Sequence, residues 1–168
     1  MNPNEIMSQV LKLIVPTDLV VRSHSLIALC HIIANVPKEI LLPELPSLVP
    51  LMLQSLSLSS AVLRANTINT LYVMTMESPE IVAPYAEKMI PILLKQIEVT
   101  QSNPVSVRIA SLRCMAIIPT HLTFSTIEPL QKTVIRGLAK ALDDPKRTVR
   151  KEAVDCRHAW YTSCGKLS

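Results

Sequence analysis

Four segments of related sequence decide the fold: VVRSHSLIALC at 20–30, VLRANTINTLY at 62–72, SVRIASLRCMA at 106–116 and TVRKEAVDCRH at 148–158. Each segment contains an arginine, and the four arginines are 42, 44 and 42 residues apart. An aliphatic residue precedes each arginine, a small residue follows it by three positions, and an aliphatic residue follows it by four. Because these positions share one face of an α-helix, the pattern predicts four equivalent amphipathic helices.

A more apolar segment precedes each of these helices, at 6–14, 45–56, 86–97 and 130–142, and short runs of Pro, Ser, Asn or Asp separate the two. Two helices repeated with a period of about 42 residues predict an all-α fold, an α-solenoid of four helix pairs. The predicted repeats are near 1–36, 37–78, 79–119 and 120–168. The predicted helices are near 4–14, 18–34, 44–57, 60–76, 84–99, 104–117, 126–142 and 146–162.

Composition agrees with a helical, water-exposed array. The chain has 168 residues, of which 49% are apolar, 18% are charged and only 2 are glycine. A β-rich protein with many tight turns normally needs more glycine. No apolar run reaches about 18 residues, so we expect no membrane-spanning segment, and the N-terminus lacks the pattern of a signal peptide.

Charge divides the chain into two halves. Residues 1–84 carry 4 Lys/Arg against 6 Asp/Glu, a net charge of −2, whereas residues 85–168 carry 13 against 7, a net charge of +6. A basic half can attract nucleic acid or an acidic protein. With aromatic residues at 3%, a stacking platform for single-stranded nucleic acid is not expected.

Nothing in the sequence predicts a catalytic, cofactor-binding or metal-binding site. The sequence contains no glycine-rich phosphate loop and no GxSxG or HExxH motif. The cysteines, Cys30, Cys114, Cys156 and Cys164, form no CxxC pair, and we interpret them as reduced, buried or half-buried thiols. A zinc site at Cys156, His158 and Cys164 would lack a fourth ligand. We therefore predict an interaction scaffold rather than an enzyme.

The face that such a scaffold would use follows from the helical register. If positions −1, +3, +4 and +7 relative to each arginine point inward, then positions +2, +5 and +9, Ala110 among them, point outward from the second helices. The predicted partner-binding residues on or beside this face are Asn66, Asn69, Tyr72, Arg113, Lys146, Arg147, Lys151 and Asp155. For any one of them, a solvated helix face is the alternative interpretation. The predicted structural residues, which would bond loop carbonyls or anchor a helix, are Arg22, Arg64, Arg108, Arg150 and Trp160.

The second helix of the first predicted pair and the second helix of the last pair differ in polarity. Residues 19–33 are apolar on nearly every side, which is typical of a helix buried on both flanks. The last helix is apolar only along Val149, Ala153, Val154 and Trp160, as a terminal cap would be. We therefore expect the chain to be the C-terminal end of a longer solenoid, the alternative being that the first repeat packs tightly against the second.

The aliphatic–arginine pair followed by a small residue resembles HEAT repeats. HEAT repeats often carry an aspartate six residues before that arginine, and only the last repeat has it, at Asp144. The other three have Pro16, Leu58 and Ser102 at this position, so a continuous Asp–Arg ladder is not expected.

The stretch LDDPKRTVRKEAVDCRHAW at 142–160 is similar to the C-terminal HEAT-repeat region of the methyl-methanesulfonate-sensitivity-nineteen family. The resemblance implies a scaffold of the cytosolic iron–sulfur assembly targeting complex. It implies a docked adaptor of the MIP-eighteen family, a WD-repeat β-propeller bound through that adaptor, and iron–sulfur apoprotein clients such as DNA helicases and polymerases. It also implies cytosolic and nuclear localisation, no membrane and no direct nucleic-acid contact. The alternative is a HEAT-repeat factor of nuclear transport or nucleic-acid association that uses the basic half.

Overall fold

The computed structural model describes residues 19–164, together with Glu5 and Gln9. The helices are α1 (Leu19–Asn35), α2 (Lys38–Leu41), α3 (Leu45–Ser55), α4 (Ala61–Glu77), α5 (Pro79–Val82), α6 (Ala86–Gln96), α7 (Val105–His121), α8 (Phe124–Leu142) and α9 (Arg147–Cys164). Short 3-10 turns, Leu42–Glu44 and Ala83–Tyr85, join α2 to α3 and α5 to α6. No strand occurs between residues 19 and 164, so the all-α prediction is confirmed.

The helices alternate between two layers. The second helices of the pairs, α1, α4, α7 and α9, pack against one another in chain order, and the first helices α6 and α8 also contact each other. One core runs through both layers, and Leu48, Ile68, Leu112 and Val149 are fully buried in it. This arrangement confirms the predicted α-solenoid. The predicted first helix near 4–14 lies outside the described range.

The N-terminal ends of α3 and α6 repeat the same bent lead-in. A four-residue helix and a 3-10 turn precede each of them, and the two lead-ins begin at Lys38 and Pro79, 41 residues apart. Proline can occupy the first turn of a helix because its missing N–H would have no intrahelical partner there. Both α3 and α6 then continue through an internal proline, Pro50 or Pro91.

The third pair departs from the predicted boundaries. The helix predicted near 104–117 continues through Pro119 to His121. The next helix then begins at Phe124, two residues earlier than predicted, after Thr123 in an extended conformation. The helix tolerates Pro119 because the carbonyl left without its N–H partner, that of Met115, accepts a hydrogen bond from the Trp160 indole at 2.9 Å.

Candidate interaction face on the second helices

Arg64 and its neutral partners link two consecutive helix pairs. Its side chain is 4% exposed, and Nη1 donates to Gln96 Oε1 at 2.7 Å and to Asn103 Oδ1 at 2.8 Å. Nη2 donates to the Ser102 carbonyl. Burial lowers the pKa of Arg64, because no carboxylate among the described residues pairs with its charge.

The partners of Arg64 are themselves held in place. Gln96 donates through Nε2 to the Leu56 carbonyl at 3.0 Å, while Asn103 donates through Nδ2 to the Lys95 carbonyl at 3.0 Å and to that of Glu98 at 3.2 Å. These amides therefore donate hydrogen bonds to carbonyls at the C-terminal ends of α3 and α6, and accept hydrogen bonds from the guanidinium. They also fix the loop at residues 97–104 onto α4.

Arg108 makes the corresponding contact one pair further on, with a carboxylate. Its Nε lies 2.9 Å from Asp144 Oδ2, and Nη1 donates to the Asn103 carbonyl at 2.6 Å. The Asp144 side chain is fully buried and also accepts from the Lys146 amide at 2.8 Å. Arg150 donates to the Asp144 carbonyl at 2.7 Å. The arginines of α4 and α7 thus each bond the loop of the following pair.

The prediction that the Asp–Arg ladder is not continuous is confirmed at Arg64, whose partners are all neutral. The carbonyl of Ser102 accepts from Arg64, and the side chain of the next residue, Asn103, occupies the place that Asp144 takes at Arg108. Sequence reasoning missed Asn103 because it lies five residues before Arg108, whereas Asp144 lies six residues before Arg150. Gln96 was missed as well. The side chain of Arg22 lies outside the described residues.

Trp160 anchors α9 on α7. The Trp160 side chain is fully buried, and its indole N–H donates to the Met115 carbonyl. The backbone carbonyl of Trp160 accepts a hydrogen bond from the Gln131 side chain of α8 at 3.2 Å. The buried residues of α9 are Val149, Ala153, Cys156 and Trp160.

The apolar stripe predicted for α9 was wrong at Val154. Val154 is 46% exposed, and the buried place in the stripe belongs to Cys156. The equivalent residues of α4 and α7, Ile68 and Leu112, are fully buried because a further second helix covers them. No described helix covers that side of α9.

The predicted partner-binding residues are distributed over three second helices and one loop. Asn66 and Asn69 are exposed on α4, Arg113 is exposed on α7, and Tyr72 is half-buried. At the other end of the face, exposed side chains belong to Lys146, Arg147, Lys151 and Asp155. One outward prediction was wrong: Ala110 is 5% exposed and packs in the core, because α7 packs more closely on α4 and α9 than α4 packs on α1.

A charged pair joins α7 and α9 at this face. Arg113 donates to Glu152 Oε1 through Nε at 3.0 Å and through Nη2 at 2.8 Å. This hydrogen bond and the negative charge of Glu152 raise the pKa of Arg113, with a smaller contribution from Tyr72. Sequence reasoning did not pair Arg113 with Glu152, although they are 39 residues apart, close to one repeat. The face formed by Asn66, Asn69, Tyr72, Arg113, Glu152, Lys146, Arg147, Lys151 and Asp155 is hereafter the second-helix face.

The thiols lie mostly inside the core. Cys30, Cys114 and Cys156 are buried, and Cys164 is half-buried. Burial raises the pKa of Cys114 to about 12 and raises that of Cys156 as well, with an added contribution from the nearby Cys114. Among the described residues, no group of three His, Cys, Asp or Glu side chains is placed to hold a metal ion. No described helix has the length and apolar character needed to cross a membrane.

Stacked helix pairs, arginines that bond the following loop and a polar face along the second helices define a helical-repeat protein of the α-solenoid class. The chain belongs to the MMS19 C-terminal family, described as RNAPII transcription regulator C-terminal, whose model matches residues 4–119. It is 40% identical over 140 residues to the DNA repair/transcription protein mms19 of Schizosaccharomyces pombe, covering 83% of this chain and 14% of that protein. It is 38% identical over 141 residues to the MMS19 nucleotide excision repair protein homolog of Homo sapiens, covering 84% and 13%.

These matches confirm the family that the sequence predicted, and the family model does so outside the stretch that carried the resemblance. The family model ends at residue 119, whereas the resemblance was based on residues 142–160. The chain spans about one seventh of the length of the curated relatives it matches.

Proposed function

We propose that this chain is a non-catalytic scaffold of DNA repair that acts in the nucleus and the cytosol. It docks the MIP-eighteen family adaptor of the cytosolic iron–sulfur assembly targeting complex, which in turn binds a WD-repeat β-propeller. Iron–sulfur clusters are then delivered to apoproteins such as DNA helicases and polymerases. The DNA-repair part is supported by the names of the relatives, and the adaptor by the family resemblance.

The observation that carries the docking proposal is the continuity of the second-helix face. Arg113 and Glu152 join α7 to α9 at 2.8 Å, and the exposed Asn66 and Asn69 continue the face on α4, so a partner that lies across it contacts three helix pairs at once. Lys146, Arg147 and Lys151 are exposed on the same face, and no carboxylate among the described residues forms an ion pair with them. Such unpaired charges steer an oppositely charged partner and fix its register.

The test is binding of a purified adaptor of the MIP-eighteen family to two double variants of equal charge change. Arg147→Glu with Lys151→Glu alters the second-helix face, whereas Arg136→Glu with Lys140→Glu alters exposed cations of α8 on the opposite layer. We expect the first to weaken adaptor binding about tenfold or more and the second to leave it within about twofold. Equal affinities of the first variant and the unaltered chain, with unchanged melting temperatures, would contradict the docking face.

Arg113 is a less informative position for this test. Reversing its charge also breaks the ion pair with Glu152, so a loss of binding would combine two causes. An exposed ion pair of this kind contributes about 0.2–1 kcal/mol, which a thermal melt of Arg113→Glu can measure separately.

Nucleic-acid association is the alternative, favoured by the three exposed cations at 146, 147 and 151. Phosphate contacts would make the logarithm of affinity fall with the logarithm of salt concentration by about 0.9 per contact. A double-stranded oligonucleotide that binds with a slope near three, and loses this binding in the Arg147→Glu and Lys151→Glu variant, would support this alternative over the adaptor.

A further inference from the structure

A continuous groove runs between the first helices α6 and α8, on the layer opposite to the second-helix face. One part, of about 540 Å³, is lined by the N-terminal ends of both helices, including Glu87 and Ser125. The other part, of about 330 Å³, is lined by their C-terminal ends. Pro91 and Thr133 line both parts, so the parts join. Because like ends lie together, α6 and α8 run parallel along the groove.

The C-terminal part of the groove is positively charged. Lys95, Arg136 and Lys140 line it, and they are all exposed. One carboxylate of the described residues, Glu98, lines it with them. No described carboxylate lies within ion-pair distance of these cations. This part therefore has three cations that form no ion pair with a described carboxylate.

The floor of the same part is apolar and narrow. Pro91, Leu94 and Ile97 line it beside the cations. Gly137 allows the close approach of the two helices, since a Cβ atom there would lie 2.6 Å from Leu94 Cδ2. The cations thus lie beside a strip of apolar surface.

Two helical carbonyls lack their N–H partner at residues that line the N-terminal part. Pro91 and Pro129 have no N–H, so the helical carbonyls four residues earlier, at Glu87 and Ser125, lack their usual donors. No described side chain donates to either carbonyl, and both residues line the groove.

Other internal prolines show how the array satisfies such carbonyls elsewhere. The Pro46 carbonyl, four residues before Pro50, accepts from the Tyr85 hydroxyl at 3.2 Å. The Met115 carbonyl, four residues before Pro119, accepts from Trp160 at 2.9 Å. In both cases the donor comes from the following helix pair. At the groove, the corresponding donors are missing among the described residues.

We propose that this groove binds an extended acidic segment of a partner protein. The backbone N–H groups of the segment bond the Glu87 and Ser125 carbonyls, and its carboxylates pair with Lys95, Arg136 and Lys140. Apolar side chains between them cover Pro91 and Leu94. The groove extends about 20 Å along α8 from Thr126 to Lys140, which is the length of about six extended residues.

The lining favours a protein segment over nucleic acid. A phosphate track needs repeated cations along its whole length, whereas Glu87 places a carboxylate at one end of the groove and Glu98 another near the cations. The apolar floor and the backbone acceptors match a peptide. The carboxylate of Glu87 also sets the direction, because acidic residues of the partner are repelled from that end.

The experiment measures fluorescence anisotropy of a labelled octapeptide, with two leucines followed by three glutamates, on titration with the full chain. A peptide with three glutamines in place of the glutamates is the matched probe. Arg136→Glu with Lys140→Glu reverses two of the three cations, and Thr133→Trp blocks the junction of the two parts without changing charge. Arg147→Glu with Lys151→Glu, of equal charge change on the other layer, is the control variant.

We expect the groove double variant, Thr133→Trp and the glutamine peptide each to weaken binding about tenfold, and the control variant to change it less than about twofold. If the groove double variant does not fold in a thermal melt, Thr133→Trp and the glutamine peptide decide the result. Absence of binding, or equal binding by the control and groove variants, overturns the proposal. Tighter binding of a single-stranded oligonucleotide that competes with the peptide overturns it as well. Adaptor binding that persists in the groove variant separates this site from the second-helix face.

Discussion

The Trp160 indole N–H donates to the Met115 carbonyl at 2.9 Å, and this is the carbonyl that Pro119, four residues later in the same helix, leaves without an N–H donor. The hydrogen bond that Pro119 removes inside α7 is therefore replaced by one from the Trp160 side chain of α9. Because Trp160 is fully buried, the bond lies where an unpaired carbonyl would be most costly. The last helix is thus attached to the array by a polar bond as well as by packing.

The first prediction concerns this bond. Trp160→Ala should lower the free energy of unfolding by about 3–5 kcal/mol, because a large buried side chain leaves a cavity. Trp160→Phe should cost less in packing but leave the Met115 carbonyl unpaired, at about 1–3 kcal/mol. Pro119→Ala returns an N–H to that carbonyl. Urea unfolding of the four proteins of a double-mutant cycle should therefore show that Trp160→Phe costs less when Pro119 is replaced by alanine; equal costs in both backgrounds would contradict the compensation.

The second prediction concerns another carbonyl that an internal proline leaves without its N–H donor, at an exposed position. The Tyr85 hydroxyl donates to the Pro46 carbonyl at 3.2 Å where water can replace it. Tyr85→Phe should therefore change the free energy of unfolding by about 0.5–1 kcal/mol or less, and Pro50→Ala should not alter that cost measurably. A loss in urea unfolding as large as that of Trp160→Phe would mean that exposure does not control the cost of these bonds.

The sequence predicted the layers of the array because its signal is local. The arginine period fixed the four second helices, and the inward positions at Leu63, Thr67, Val107 and Ser111 are buried. The helix predicted near 104–117 ended too early, because the donor that compensates Pro119, Trp160, lies 41 residues further along the chain. The polar partners Gln96 and Asn103 were missed because they belong to the following helix pair, where the periodicity of α4 carries no information about them.

The third prediction concerns thiol reactivity and pH. Burial raises the pKa of Cys114 to about 12 from an ordinary value of 9.0. Between these pH values the unfolded chain loses the proton while the folded chain keeps it, so the free energy of unfolding falls as pH rises. This thiol contributes at most about 1.4 kcal/mol per pH unit, and Cys114→Ala should reduce the slope in urea titrations from pH 9 upward. A slope unchanged by Cys114→Ala would show that other groups control it.

The fourth prediction distinguishes the thiols by their reaction with a disulfide reagent at pH 8. Cys164 is half-buried and should react first, whereas Cys30, Cys114 and Cys156 are buried and should react only as the chain unfolds. Adding urea should therefore accelerate modification of the three buried thiols and leave that of Cys164 nearly unchanged. Rapid modification of Cys114 or Cys156 in the folded chain, identified by peptide mass, would contradict their burial.

The fifth prediction compares the two polar contacts that bind α4 and α7 to the loops that follow them. Arg108 has a carboxylate partner, Asp144, whereas Arg64 is held by the amides Gln96 and Asn103. Removing the partner of a buried charge by Asp144→Ala should cost about 3–5 kcal/mol. Asp144→Asn should cost clearly less, because an amide oxygen can still accept from Arg108 in the way that Asn103 accepts from Arg64. Asn103→Asp should not stabilise the array, although it pairs the charge of Arg64, because a carboxylate cannot donate to the Lys95 and Glu98 carbonyls as Asn103 does. Urea unfolding of the three variants decides the matter: if Asp144→Asn costs as much as Asp144→Ala, or if Asn103→Asp raises stability, charge rather than hydrogen-bond geometry determines the strength of these contacts.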